Sequence, residues 1–321
     1  MILTVTLNPL LERRYKYSKI VINAENRQGK NEIKAGGKGI NVSRQLNLLK
    51  CDNAALTFLG GTNGKILKEI LIKENIKVTS VRTQNPTRDC SLIIDESSGE
   101  ITSFFGENSI ISEAEVEEFN AKMDKMIQNC ELVVFSGSSP CSNTDTIFPF
   151  GIETANKYDK ISVLDTYGNH LAKCLAASPT IVHNNFQEVN NSLNKPLNSE
   201  NEVIKFLNSL YLLGIKQIYL TQGSDPIYAA NFDFCYKILP PKIKTLDPTG
   251  SGDCFVAGIV SGLEKDFNFE ENIITAVSLG ALNAASYDVC SINPSDIDLV
   301  RNQITIESIG KKMKTIDVIP N

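Results

Sequence analysis

The sequence predicts an α/β fold: a three-layer α/β/α sandwich on a mostly parallel sheet, with a small second β-sheet beside it. Three observations carry this. From about residue 54 onward, apolar strand-like runs alternate with amphipathic helical stretches. The strand-like runs are continuously apolar, the pattern of strands buried on both faces, as a parallel sheet covered by helices requires. Residues 10–34 and 86–106 break the alternation with β-type sequence and no intervening helix, so the two segments can pair as a separate small sheet.

Taken in order, "AALTFLGG" is a strand, "GKILKEILIKEN" a helix and "KVTSVRT" a strand. "CSLIIDESSGEITSFF" reads as a hairpin turning at "ESSG". "ELVVFSG" is then a strand followed by a helix near 144–157, and "KISVLD" a strand with a helix after it. "TIVHN", the helical "NEVIKFLNSLYLLG" and "KQIYLTQG" extend the series, and helices at about 252–264 and 270–287 close it. The expected organisation is an α/β core of residues 1–9, 35–85 and 107–321, with a β lid from 10–34 and 86–106. One face of such a sheet is free to cover a site or to pair with a second copy.

Composition narrows the function. A chain of 321 residues with 42% hydrophobic content suits one large globular core. Its net charge of −5 argues against nucleic acid or a membrane surface as a partner, since both call for a basic face. The opening "MILTVTLNPL" lacks a basic leader and reaches Pro9 early, and no apolar run approaches the ~18 residues of a membrane span. A cytoplasmic protein is expected. Eight scattered cysteines and two histidines suggest neither a zinc site nor a disulfide framework, and Cys254 reads as a small packing residue.

"DPTGSGDCFVAG" joins a glycine-rich turn to a helix start. Gly250 and Gly252 let the backbone approach an anion, Thr249 and Ser251 offer hydroxyls, and unpaired helix amides converge there. If the anion is a nucleotide's phosphate, Asp253 can take the proton of an attacking hydroxyl while the amides hold the transferred charge. Taken alone, Asp253 is equally explained as a carboxylate that stabilises a helix start. A dinucleotide fingerprint would need glycine where Phe255 stands, and "GGTNGKI" departs from a Walker loop at Leu59 and Ile66.

"AGGKGINVSRQL" is a second such turn. Lys38 can neutralise an anion, Gly36, Gly37 and Gly39 allow close approach, and Asn41 can bond a hydroxyl; a solvated lysine on an ordinary turn explains it as well. Arg27 and Arg88, one in each β segment, are candidates for bidentate phosphate contact, although most single arginines are surface charges. In "NNFQE", Asn185 and Glu188 could reach a magnesium ion or its waters from one helical turn, or simply cap a helix.

With these pieces placed, the chain resembles the PfkB family of carbohydrate kinases, with its ribokinase-like fold, and within it the tagatose-6-phosphate kinase and 1-phosphofructokinase group. "MILTVTLNP", "AGGKGINVSR", "TRDC", "SGSSP", "NNFQE", "PTGSGDCFVAG" and "LGALNA" come in the family's order over nearly the whole length. The resemblance implies ATP-dependent phosphorylation of a ketohexose monophosphate, with ATP and Mg2+ as cofactors and room for a monovalent cation. By position it implies Asp253 as catalytic base and the amides of Gly250, Ser251 and Gly252 as the anion hole. Lys38, Arg88 and Arg27 match positions that hold the phosphate already on the sugar; Glu12, Gly37, Asn41 and Ser138 match sugar contacts. Asn185 and Glu188 fall near the ATP phosphates and magnesium, and Thr221, Gly223 and Asn283 along the nucleotide pocket. A homodimer through the lid is also implied.

Five departures accompany it. Glu12 replaces the aspartate of N-P-x-x-D and precedes Arg13 and Arg14; Asp89 replaces an asparagine; His183 replaces the lysine of K-P-N-x-x-E; Pro226 enters the nucleotide turn; Cys290 stands where glycine is common. They touch the sugar and nucleotide ends and leave the base, the anion hole and the lysine turn whole. A kinase for an unphosphorylated sugar or a nucleoside, and a weakly active or inactive sugar-phosphate-binding regulator, stay open as alternatives.

Overall fold

The computed structural model describes residues 1–311, so residues 312–321 of the expected core lie outside the described residues. The chain begins β1 (Ile2–Thr6), β2 (Leu10–Tyr17), β3 (Lys30–Gly36), α1 (Lys38–Leu48), β4 (Asn53–Gly60), α2 (Gly61–Lys73) and β5 (Lys77–Thr83). It continues through β6 (Arg88–Asp95), β7 (Glu100–Phe105), α3 (Glu113–Gln128), β8 (Leu132–Ser136), α4 (Ile147–Lys157), β9 (Ile161–Asp165), α5 (Leu171–Ala176), β10 (Ile181–Asn185) and α6 (Phe186–Leu193). Then follow α7 (Glu200–Leu212), β11 (Gln217–Thr221), β12 (Ile227–Asn231), β13 (Phe234–Leu239), α8 (Ser251–Glu264), α9 (Phe269–Ala284) and β14 (Thr305–Lys311).

Ten strands form one sheet in the order β14-β13-β12-β11-β10-β9-β8-β1-β4-β5. Pairing is parallel from β5 across to β11, and antiparallel from β11 to β14. Alternate residues of each central strand serve opposite layers. Leu3, Val133 and Phe135 pack with Phe119, Met123 and Phe148 of α3 and α4. Ile2, Leu132 and Val134 pack with Val42, Val256 and Ile273 of α1, α8 and α9. Burying each such side chain contributes about 1.5–3 kcal/mol, and these two layers make the sandwich.

The antiparallel edge is a finding beyond the periodicity. β12 and β13 are joined through Phe232, which adopts φ 53°. A phenylalanine in the left-handed region sends no turn signal of the Asn-Gly or Asp-Gly kind, so the hairpin is silent in the sequence.

The second sheet has the order β3-β2-β6-β7. β2 pairs antiparallel with β3 and parallel with β6, with Leu10 opposite Arg88 and Glu12 opposite Cys90. Alternation puts Glu12, Arg14, Lys34 and Arg88 on one face. That face turns to the core, since Lys34 Nζ meets Asp288 Oδ1 at 2.7 Å and Lys16 Nζ lies 5.6 Å from the Tyr287 ring centre. Among the described residues no helix is long and apolar enough to cross a membrane.

Candidate active site

The carboxyl ends of the parallel strands face the two glycine turns, the usual place for a ligand in an open α/β sheet. At the second turn, Gly250 caps α8 at φ 81°, and a Cβ there would stand 2.4 Å from Val289 Cγ1. No other residue fits. Asp247 Oδ1 accepts from the Thr249 amide at 2.9 Å. The expected hole of three amides needs correction: the Ser251 amide donates to Pro248 O at 3.1 Å and is consumed by the turn. The amides of Gly250, Gly252 and Asp253 have no hydrogen-bond partner among the described residues and are left for an anion.

Asn283, expected along the nucleotide pocket, lies fully buried behind this turn. Its Nδ2 donates to Thr249 O at 2.8 Å and Ser251 Oγ at 3.2 Å, and its Oδ1 accepts from the Cys290 amide at 2.8 Å. It braces the turn rather than facing a ligand. Cys254 is buried beside it, its Sγ 3.4 Å from Asn283 Oδ1.

Asp253 stands in the first turn of α8, buried, and accepts from Asn41 Nδ2 at 2.7 Å. Asn41 is itself fixed, its Oδ1 accepting from Arg44 Nη1 at 2.8 Å. Burial pushes the Asp253 carboxyl up, to about 6; the nearby Asp165 charge adds to the rise, while Lys38 and the Asn41 hydrogen bond work against it. Such a group is ionised at neutral pH yet basic enough to take a proton.

Lys38 opens α1, and its Nζ lies 2.9 Å from Glu188 Oε1 and 3.1 Å from Asp165 Oδ1. Burial alone would make the ammonium less stable, but the charges of Asp165, Glu188 and Asp253 outweigh it and hold its pKa well above the ordinary value. Asp165, fully buried at the end of β9, also accepts from Ser136 Oγ at 2.7 Å and is 3.0 Å from His183 Nδ1. Burial opposes its charge, yet Lys38 and these hydrogen bonds keep its carboxyl well below the usual range. His183 Nε2 reaches Thr221 Oγ1 at 3.2 Å, and the ring stacks on Phe255 with centres 5.1 Å apart.

Sequence reasoning missed Asp165. Its signal was a carboxylate closing the apolar run "KISVLD" at the strand's carboxyl end.

Asn185 and Glu188 form a capping box on α6: Asn185 Oδ1 accepts from the Glu188 amide at 2.8 Å, and Glu188 Oε2 accepts from the Asn185 amide at 3.0 Å. Glu188 therefore caps a helix with one oxygen and holds Lys38 with the other. Beside them lies a cavity of about 380 Å³ lined by Lys38, Tyr167, Gly168, Gln187, Glu188 and Asn191. Among the described residues no cluster of three acidic, histidine or cysteine side chains could hold a metal alone.

Across the site, Arg88 Nη1 donates to Asn108 Oδ1 at 3.1 Å and Nη2 to Asn8 O at 3.2 Å, with Phe105 stacked 5.7 Å away. Asn8 Nδ2 donates to Asn108 Oδ1 at 3.0 Å and to Ser138 Oγ at 3.1 Å, joining Ser138 to the same cluster. Asn8 and Asn108 are further residues the motifs did not reveal. Asp89 projects from the opposite face of β6, its Oδ2 4.0 Å from Arg13 Nε, so its added charge stays away from Arg88. Glu12 accepts from Arg14 Nε.

Two expected residues are not gathered in. Arg27 is paired with Glu25 on the exposed connection between β2 and β3. Gly223 is exposed, at φ 55°, with open space around it. Gly37 precedes Lys38 at φ 130° and caps α1.

Comparison with known proteins follows the same lines. Residues 12–296 match the profile of the pfkB family carbohydrate kinases. The tagatose-6-phosphate kinase of Staphylococcus epidermidis is 31% identical over 309 residues, covering 95% of this chain and 99% of the relative. Escherichia coli phosphofructokinase-2 in complex with fructose-6-phosphate superimposes with a TM-score of 0.83 at 25% identity, over 94% of this chain and 98% of that one. A Thermotoga maritima chain put forward as a 1-phosphofructokinase gives a TM-score of 0.87 at 24% identity, over 96% and 99%.

Proposed function

The chain belongs to the pfkB family of carbohydrate kinases, and from that premise we propose that it phosphorylates a ketohexose monophosphate to the bisphosphate, of the tagatose-6-phosphate or fructose-1-phosphate type. The observation that carries the reading is Asp253: a buried carboxylate raised to about 6, aimed by Asn41, beside the uncommitted Gly250 and Gly252 amides.

In this reading Asp253 takes the proton of the acceptor hydroxyl as its oxygen bonds to the γ-phosphorus. The bond from that phosphorus to the β–γ bridging oxygen breaks, ADP leaves, and the proton rests on Asp253. The Gly250 and Gly252 amides stabilise the charge of the phosphoryl group in flight. Lys38, expected at the phosphate already on the sugar, is better placed for the transferred one, because it and its partner Glu188 line the cavity. Arg88, with Asn8, Asn108 and Ser138, would hold the resident phosphate, and Glu12 would orient the sugar. Glu188 would help hold Mg2+ bound with ATP, which would supply charge neutralisation on the phosphates. Thr221 and Gly223 would border the nucleotide. The small sheet would close over the site and exclude water.

The opposite face of that sheet exposes Ile33 and Phe104, which supports a homodimer through the lids, to be checked by sedimentation. A metabolic kinase of this kind would work in the cytoplasm.

The test is ADP release with Mg-ATP against tagatose 6-phosphate, fructose 1-phosphate, fructose 6-phosphate, fructose, ribose and adenosine. Turnover confined to phosphorylated ketoses is expected. Equal turnover of an unphosphorylated sugar or adenosine would overturn the substrate class, and silence throughout would overturn the activity.

A further inference from the structure

Arg14 is the largest fully buried side chain among the described residues, only 1% exposed. It lies two residues beyond Glu12 on the lid face turned to the core. Its Nε donates to Glu12 Oε1, its Nη1 donates to Tyr287 O at 2.6 Å, and its Nη2 has no partner among the described residues. Tyr287 begins the stretch whose Val289 and Cys290 pack against Gly250. One guanidinium thus ties the carboxylate at position 12 to the segment that supports the anion turn.

Chemistry explains why that tie matters for a glutamate. Glutamate reaches one methylene farther than aspartate and has one more torsion to order. A planar guanidinium bound to one oxygen and anchored to a backbone carbonyl fixes the carboxylate's place and leaves its second oxygen to accept from a hydroxyl. A lysine offers no such fork, and in a buried pair neither partner tolerates loss of the other.

We propose that Arg14 is a positioning residue for sugar recognition, and that Glu12 and Arg14 act as one unit in which the arginine aims the longer acid at the substrate's hydroxyls. This rests on the reading of Glu12 as the carboxylate that orients the sugar. The alternative is that Arg14 only fastens the lid to the core.

KM for the preferred ketohexose phosphate and for ATP would be measured in wild type, Glu12→Gln, Arg14→Lys and the double variant, with melting temperatures alongside. Arg14→Lys is expected to raise the sugar-phosphate KM about tenfold and leave that for ATP within about twofold. In the Glu12→Gln background the same change should add less than about twofold, because its partner is already gone. A parallel rise in both KM values, full additivity, or a lower melting temperature with unchanged KM values would overturn the proposal and leave a fastener. Glu12→Asp gives a check that leaves Arg14 in place: it retracts the carboxylate from the fork and should cost as much as Arg14→Lys, whereas a mere fastener would accept the family's own residue without loss. If wild type turns over no sugar phosphate, the kinase reading falls by itself. The coupling is then read from the melting shift given by tagatose 6-phosphate, which should vanish in Arg14→Lys; no shift in wild type would overturn both.

Discussion

The edge of the large sheet and the face of the lid meet the same site in opposite states of readiness. In the core, Lys38 and Glu188 at the starts of α1 and α6 and Asp165 and His183 on β9 and β10 each hold two or more polar partners before any ligand arrives. On the lid, Arg14 Nη2 and Arg88 Nε are both buried with no hydrogen-bond partner among the described residues. A buried unpaired donor is costly, so the lid's arginines are under-satisfied where the core's lysine is not. Under the proposed function the contrast divides two tasks: the chemistry of phosphoryl transfer would be preorganised in the core, and recognition of the acceptor would be completed at the lid.

The largest expected effect breaks the core side. Asp253→Asn should lower kcat by about 10²–10⁴-fold with little change in sugar-phosphate binding by calorimetry; retained turnover would remove Asp253 from the base's role. In the wild type, log kcat/KM should fall as pH drops below about 6, where that carboxyl takes up its proton. The same shift has a stability sign. The folded pKa lies above the ordinary 3.8, so the favourable contribution is full below pH 3.8 and lost as pH rises through about 6. Asp253→Asn should therefore raise the melting temperature at pH 8, by on the order of 1–3 kcal/mol of stability, and leave it unchanged near pH 3.5.

Gly250→Ala comes next. It demands φ 81° of an alanine and drives its Cβ into Val289, displacing the amides; a loss of about 10²-fold in kcat is expected from such misplacement, with the sugar-phosphate KM held. On the lid, Arg88→Ala should act the other way round, raising the sugar-phosphate KM about tenfold or more, the worth of a charged hydrogen bond, with kcat less affected. A kcat loss equal to that of Gly250→Ala would erase the division between the regions. The smallest effect is expected from Arg27→Ala, within about twofold in every constant, since its partner Glu25 is as exposed as it is.

Legibility in the sequence follows the same division. The strand–helix alternation and both glycine turns were readable because period and backbone geometry are local properties, and "DPTGSGD" and "AGGKG" are specific over a few residues. The identity of the open amides was not: that Ser251 donates to Pro248 depends on a turn geometry that Gly250 makes possible but does not spell out. Asp165 went unseen because its importance comes from Lys38, 127 positions away. Asn283 looked like a pocket residue and proved a brace, since only the packing of α9 behind the turn shows which way its amide points. The N-x-x-E motif proved a helix cap, and the second oxygen of Glu188 holds Lys38, a partner the motif does not announce.

The parallel pairing of β2 with β6 sets an order of events. Leu10 is opposite Arg88, so the middle of the lid cannot form until α1, β4, α2 and β5 have brought the two strands together. Until then β2 and β3 can make only a two-stranded hairpin, which is marginal alone in water, and joining partners so far apart along the chain is slow. Pulse-labelled hydrogen exchange should find the amides of β1, β4 and β8 protected before those of β2 and β6. As the chain leaves the ribosome, residues 10–36 must wait through the synthesis of some fifty more before their partner emerges.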